Sequence, residues 1–395
     1  DPEGALGPKS SGFNQQMRLG DDVLTRINLC RTDSSMLEKL QQAVVVETLN
    51  PLIEDACRQA KIMPADLAAV ALAGNTTMLH LALGIDPSSM GVAPFTPQFL
   101  EYRAVEAKAV GLVAANAVVH ALPSAAAYVG ADLTAGVYAT GLAYEEGPSL
   151  IVDVGTNGEI VLKANDRLYG CATAAGPAFE GSGLESGMRA GVGAISHIWL
   201  GDGPDPLATE VIGGGVPVGI CGSAYIDFLA EGRKAGLLSS SGRFNPDFVH
   251  RHAERFERND YGWHMLVGHS EGPKVSIGEP DVALLLQAKA AIAAGVVTLL
   301  RQEGVAFEDV RQLHLAGGFG MHVRLESALA CGLLPGFRPD QVELVGNTSL
   351  GGAVLALQDR NTIGELADIG TGVQIVELNL DPGFEDEYVD QLQLP

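Results

Sequence analysis

Apolar runs along this chain alternate with short polar or glycine-rich breaks, and the spacing inside each run predicts its element. Residues 67–74, LAAVALAG, are apolar throughout and stop at glycine, the pattern of a buried strand. The next stretch, NTTMLHLALG, predicts a helix with Asn75 or Thr76 as its N-cap. Upstream, DDVLTRI opens a helix with acids in its first turn. Residues 36–60 are helical in pattern, and Pro51 inside them either begins a new helix or kinks one. The opening DPEGALGPKSSG is turn-rich, and residues 109–142 mix a strand with small-residue helices.

A new strand pair begins at about residue 149 with SLIVDVGTNGEIVL. Two runs of β-branched residues flank a turn, and Asn157-Gly158 is a strong hairpin signal. ICGSAYIDFLAEGRKAG (220–236) predicts a helix with a glycine-rich entry and a glycine near its C-cap. Residues 250–262 are charge-dense and read as a solvated excursion. Beyond them come a short strand and a long helix starting near Glu279-Pro280-Asp281. QLHLAGGFG (312–320) is a strand running into glycines, and VELVGNTSLGGAVLAL (342–357) a strand followed by a helix. ALAGNTTMLHLAL (71–83) and ELVGNTSLGGAVLAL (343–357) share one order: strand, Gly-Asn-Thr, apolar helix. That similarity suggests two related α/β subdomains, since its separation is far longer than a solenoid period.

Composition narrows the class. With 395 residues, 47% of them hydrophobic, the chain can bury a large core and by length suggests two domains or more. Charged residues are only 18%, which argues against a disordered or coiled-coil chain. A net charge of -23 argues against nucleic acid as a partner, because its phosphates need Lys and Arg clusters. A small phosphate ligand remains compatible with it, held by backbone N–H groups and a divalent cation. Cys30, Cys57, Cys171, Cys221 and Cys331 are scattered and form no C-x-x-C pair, so they read as reduced thiols of a cytoplasmic protein. No signal peptide is expected at the start. The apolar segment 288–300 is too short and too rich in Ala and Gly to span a bilayer, and reads as a buried helix with no membrane partner.

Four glycine-rich loops carry the candidate chemistry. In the hairpin, Asp153 stands at the end of a strand, and Gly155 and Gly158 let the backbone approach a ligand. Thr156 and Asn157 offer hydrogen bonds, and successive turn N–H groups make an anion nest. Asp153 is placed to hold hydrated Mg²⁺ beside a phosphate. Gly317, Gly318 and Gly320 allow a flat ligand against the backbone; a close helix–strand contact is the plainer alternative. VIGGGVPVGICGS (211–223) enters a helix at Ser223, and residues 174–195 hold Glu180, Glu185 and Arg189 among glycines. Neither a dinucleotide fingerprint nor a Walker loop is present. Cys221 lacks an assignable basic partner and is not read as a nucleophile. His250, His252, His264 and His269 lack metal-ligand spacing and read as a solvated face, whereas His80 and His314 read as packed and hydrogen-bonded.

The hairpin Asp153-Val-Gly-Thr-Asn-Gly-Glu159, the distant Ala316-Gly-Gly-Phe-Gly320 and Gly346-Asn-Thr before a helix resemble the acetate and sugar kinase, Hsp70 and actin superfamily. More narrowly, GFNQQMRLGDDVLTRI, GNTTMLHLALGIDP, VDVGTNGEIVL, ATAAGPAFEG and GICGSAYID together resemble the ATP-dependent reductive activators of corrinoid proteins. The resemblance implies an α/β fold of two ribonuclease-H-like subdomains with a nucleotide cleft between them. Residues 1–148 would be the first, middle subdomain, and 149–395 the second, with the phosphate loop and the adenosine motif. It implies an ATPase that returns a partner corrinoid protein from inactive Co(II) to Co(I).

The implied roles fall on particular residues. Asp153 would organise Mg²⁺; Gly155, Thr156, Asn157 and Gly158 would cradle the β and γ phosphates; Gly317, Gly318 and Gly320 would face adenosine. Gly222 and Ser223 would contact ribose or phosphate, and Glu180 or Glu159 would orient the attacking water. Family members also carry a ferredoxin-like [2Fe–2S] domain and a first Asp-x-Gly-Thr hairpin, and neither is found in this sequence. The chain therefore reads as the C-terminal piece of a longer protein. A small-molecule kinase of the same superfamily and a non-catalytic corrinoid-protein docking module are the competing readings, and the small-residue-rich surface is compatible with a homodimer.

Overall fold

The structure, a computed structural model, describes residues 5–201, 203, 205–268, 272–318 and 322–395. Its contacts divide the chain into Asp1–Tyr144 with Thr348–Gln374, and Glu145–Asn347 with Ile375–Pro395. The chain thus leaves the first unit after Tyr144 and returns to it at Thr348. A single cut at 148/149 does not describe that path.

The first unit begins with helices α1 (Val23–Thr32), α2 (Ser35–Val44) and α3 (Asn50–Ala60). Asp22 caps α1 by accepting the Thr25 amide at 2.8 Å. Pro51 stands where one of its two expected roles puts it, at the beginning of a helix. It lies in the first turn of α3, directly after a π-helical turn at Val45–Leu49. The wider turn accommodates a residue that has no N–H and whose ring would crowd an α-helical carbonyl. Strand β1 (Ala69–Leu72) leads into α4 (Thr76–Ala82), capped by Asn75, whose side chain accepts the Met78 amide at 2.9 Å. His80 in α4 is buried: its Nδ1–H donates to the Thr76 carbonyl at 2.7 Å and its Nε2 accepts the Gln98 amide at 3.1 Å. Burial pulls its pKa down, in keeping with a neutral, structural ring.

Strands β2 (Arg103–Glu106) and β3 (Val118–Ala121) complete a sheet ordered β1-β3-β2, with β1 and β3 parallel. Helix α5 (Ala131–Thr140) follows. Burial pushes the Asp132 carboxyl, in its first turn, up to about 6. A pKa raised in the folded state gives stability that is whole below the unfolded value of 3.8 and is lost as pH rises through about 6. Asp132→Asn keeps an acceptor for the Leu133 amide and removes that loss. The variant is expected to be more stable than the parent at about pH 8 by roughly 1–2 kcal/mol, with little difference near pH 4. Urea unfolding at both pH values checks this, and a gain of equal size at each would count against it.

The second unit is built on strands β4 (Ser149–Val154), β5 (Gly158–Ala164) and β6 (Arg167–Thr173). Beyond them come β7 (Ala194–Leu200), β8 (Leu207–Val211), β9 (Gly219–Ile220) and helices α6 (Gly222–Lys234) and α7 (Pro246–Arg251). Then follow β10 (Phe256–Asn259), β11 (Gly262–Leu266), β12 (Ser276–Gly278), α8 (Glu279–Gln302), β13 (Gln312–Ala316), α9 (Leu325–Ala330) and β14 (Val342–Gly346). After the return of α10 (Thr348–Gln358) and α11 (Asn361–Gly372) to the first unit, β15 (Val373–Ile375) and α12 (Phe384–Gln391) end the chain.

The main sheet runs β14-β13-β4-β5-β6-β15. β13 is parallel to both β14 and β4, while β4-β5-β6 is an antiparallel meander. β5 is buried along its whole length, which explains its lack of polar alternation. Helix α8 packs on β5 and β6, and is the one described helix long and apolar enough to cross a membrane. Here 78% of its most apolar window is buried against the protein, matching the buried-helix reading. The charge-dense stretch 250–262 is more ordered than a solvated excursion. Phe256 packs inward while Glu257 and Arg258 stay exposed, and β10 pairs with β11. His264 on β11 is buried, as is His252 at the end of α7, so neither is on a solvated face; His269 lies outside the described residues.

Candidate functional site

The hairpin at 149–162 sits at the centre of the main sheet, and its register fixes the turn. Val154 pairs with Gly158 and Asp153 with Glu159, so the loop is Gly155-Thr156-Asn157 and Gly158 already belongs to β5. This corrects the expected Asn157-Gly158 turn. It also changes the reason for Gly158: a Cβ there would meet Ile292 Cγ1 and Thr173 Oγ1, both at 2.6 Å. Helix α8 crossing the hairpin root requires that glycine, not a ligand. Gly155 differs, because a Cβ there would come no nearer than 3.6 Å to the Asn157 carbonyl.

Above the turn lies a cavity of about 350 Å³. It is lined by Asp153, Val154 and Gly155 from the hairpin, Cys221, Gly222 and Ser223 from the start of α6, and Gly318 and His322 beyond β13. Phe179 and Glu180, with Met188, Arg189 and Ala190, close the remaining side. All four loops expected to carry chemistry therefore converge here. Asp153 reaches the cavity because parallel pairing sets it beside Ala316 at the end of β13. Gly222 and Ser223 are the first residues of a 13-residue helix, so their N–H groups have no intrahelical acceptor and face the cavity with the positive end of the dipole. The Ser223 hydroxyl is turned away, donating to the Ser196 carbonyl at 2.8 Å. What Ser223 presents is its backbone.

The two glutamates separate clearly. Glu180 lines the cavity; its carboxylate accepts the Thr156 hydroxyl at 2.8 Å and an Arg189 N–H at 3.2 Å. Glu159 is buried on β5 and is not among the lining residues. The glycines after β13 separate as well. Gly317 has φ +103, and a Cβ on it would meet the Val154 carbonyl at 2.4 Å, so it is required by a close strand contact. Gly318 has open space where a Cβ would go and faces the cavity. Gly320 lies outside the described residues.

His322 and Met188 were not singled out by the sequence, though Met188 lies inside the glycine-rich stretch 174–195 and His322 just beyond the glycines after β13. One turn further along α6, the fully buried Asp227 accepts from His197 Nδ1 at 2.9 Å and faces Arg324 Nε at 3.6 Å. This network ties α6 to β7 and to the segment after His322. The arrangement as a whole suits a polyanion. It offers amide donors at a helix start, one carboxylate for a hydrated cation, and a guanidinium beside a second carboxylate.

Residues 147–395 match the family described as the C-terminal domain of RACo, the ASKHA domain, and residues 3–145 match the RACo middle region. The fold is therefore an α/β fold of the ASKHA class, and the chain belongs to the RACo family. It is similar to "Corrinoid activation enzyme RamQ" of Eubacterium limosum, with 32% identity over 98% of this chain and 66% of that protein. It is also similar to "[Co(II) methylated amine-specific corrinoid protein] reductase" of Methanosarcina barkeri, with 31% identity over 61% of this chain and 44% of that protein. The solved structure of a "Reductive activator for corrinoid,iron-sulfur protein" superposes with a TM-score of 0.93 at 36% identity, over 100% of this chain and 63% of that one. The chain thus spans about two thirds or less of the length of these relatives.

Proposed function

We propose that this chain is the ATP-hydrolysing part of a protein that returns a corrinoid protein from Co(II) to Co(I). The observation that carries the reading is the convergence of the hairpin turn, the start of α6 and Gly318 on one cavity, in a chain whose relatives are named as corrinoid activators. Reduction of Co(II) to Co(I) takes one electron from a low-potential donor. The five cysteines of this chain are all buried and spread over separate elements, which does not fit an iron–sulfur cluster. The electron comes from elsewhere.

Mg²⁺ fits the donor set. Among the described residues no group of three or more His, Cys, Asp or Glu side chains could hold a metal ion. A single carboxylate such as Asp153 suffices for an ion that keeps its waters and takes its other ligands from phosphate. Such an ion would offset negative charge on the β and γ phosphates. The amides of Gly222 and Ser223 and the turn at Gly155–Asn157 bind and orient the polyphosphate. Glu180 holds the attacking water in line with the γ-phosphorus, and its own position is set by Thr156.

Phosphate release by the protein containing this chain tests the reading, with and without a Co(II) corrinoid protein and an electron donor. ATP turnover together with ATP-dependent appearance of Co(I) is expected. Glu180→Gln is expected to lower turnover on the order of a hundredfold, and Glu159→Gln by only a few fold. Absence of Mg·ATP binding would sink the reading, whereas a phosphorylated metabolite in place of free phosphate would make the protein a kinase.

A further inference from the structure

The cavity has an unequal charge lining. Asp153 and Glu180 both face it, and Arg189 is the one Lys or Arg among the described lining residues. A terminal phosphate entering beside the Glu180 carboxylate would be repelled unless a cation accompanied it. The cation organised by Asp153 serves one side of the polyphosphate. Among the described lining residues, Arg189 is the one Lys or Arg that answers the charge on the Glu180 side.

Arg189 is also held in place from its backbone. A Cβ on Gly187 would fall 2.0 Å from the Gly181 carbonyl oxygen, so these two glycines bring the segments bearing Glu180 and Arg189 into direct contact. The Met188 amide donates to the Ile220 carbonyl and the Ile220 amide to the Ser186 carbonyl, each at 2.8 Å. Ile220 is followed directly by the cap of α6. The same short segment is thereby pinned to the Glu180 turn on one side and to the start of α6 on the other. Its side chain, in contrast, is half exposed, and a partly exposed ion pair at 3.2 Å is weak enough to exchange.

We propose that Arg189 binds the terminal phosphate of the nucleotide, giving up its ion pair with Glu180 as the phosphate enters and stabilising the charge of the transferred phosphoryl group. This deepens the nucleotide reading above and rests on it. In the ligand-free protein the pair keeps Glu180 neutralised. With nucleotide bound, Glu180 keeps its Thr156 hydrogen bond and is released toward the water. Arginine suits the task better than lysine, since its planar fork reaches two phosphate oxygens at once.

The test compares Arg189→Ala and Arg189→Lys with the parent protein for binding of Mg·ADP, binding of a non-hydrolysable ATP analogue, and steady-state hydrolysis. The alanine variant is expected to bind ADP as the parent does, to bind the ATP analogue on the order of tenfold more weakly, and to lose on the order of a hundredfold in kcat. The lysine variant should recover part of the analogue affinity and less of the kcat. Equal weakening of ADP and analogue would overturn the proposal, since a structural role, or a contact to the inner phosphates, moves both alike. An alanine variant matching the parent in all three measurements would overturn it too. A parent protein that binds neither nucleotide would overturn both this inference and the nucleotide reading.

Discussion

Asp153→Asn is expected to leave the protein folded and to lower kcat for Mg·ATP hydrolysis on the order of a thousandfold. Asp153 lies one residue before the end of β4, between Ala316 of β13 and Glu159 of β5 in the sheet register. Asparagine has the same shape, so the register and the turn at Gly155 stay as they are. What is lost is the negative charge that holds a hydrated cation against the polyphosphate. The loss should therefore be accompanied by a higher half-saturating Mg²⁺ concentration. A fall in kcat with an unchanged Mg²⁺ titration would show that Asp153 acts in another way. A kcat within a few fold of the parent would remove it from the chemistry altogether.

The largest effect on stability is expected at Gly317. Its φ of +103 strains any side chain, and a Cβ would lie 2.4 Å from the Val154 carbonyl and 2.9 Å from Asp153 Oδ1. Neither obstacle is the far end of a flexible chain. Gly317→Ala must then part β13 from β4 or twist the backbone after Ala316, at an expected cost of about 3 kcal/mol or more. Gly318→Ala is the control: nothing lies within 4 Å of its Cβ position, so its stability should change by less than about 1 kcal/mol. Chemical denaturation of the two variants separates them. Similar losses at both positions would mean that the close approach at Gly317 does not limit stability.

Much of this protein was legible in its sequence because most elements carry local signals. Asn75 acts as the cap its position suggests, Asp22 stands one place before the first turn where the acids were expected and caps α1 instead, and the hairpin at 149–164 lies where the β-branched runs put it. Four glycine-rich loops marked the segments that line the cavity. Tertiary contacts were harder to read. Gly155 and Gly158 look alike in sequence, yet one faces open space and the other is pressed against Ile292 of α8, about 130 positions away in the chain. Glu159 and Glu180 were equally plausible until burial on β5 set the first apart from the cavity. The burial of His264 goes with the β10–β11 pairing, which a charge-dense stretch conceals, and that of His252 with its packing on Phe248 at the end of α7.

The two family matches meet near residue 146, whereas the spatial units trade residues again at 347/348 and 374/375. Helix α10 packs against α5, and Ala353, Ala356 and Leu366 share a buried cluster with Ala131 and Ala135. A gene truncated at the family boundary would therefore deprive the N-terminal product of part of its own interior and leave α10 and α11 in the other without the helix they pack on. A polypeptide nicked between Tyr144 and Glu145, by contrast, would still have its two fragments clasped through that cluster. The boundary that records descent is not a line along which this molecule can be dismantled.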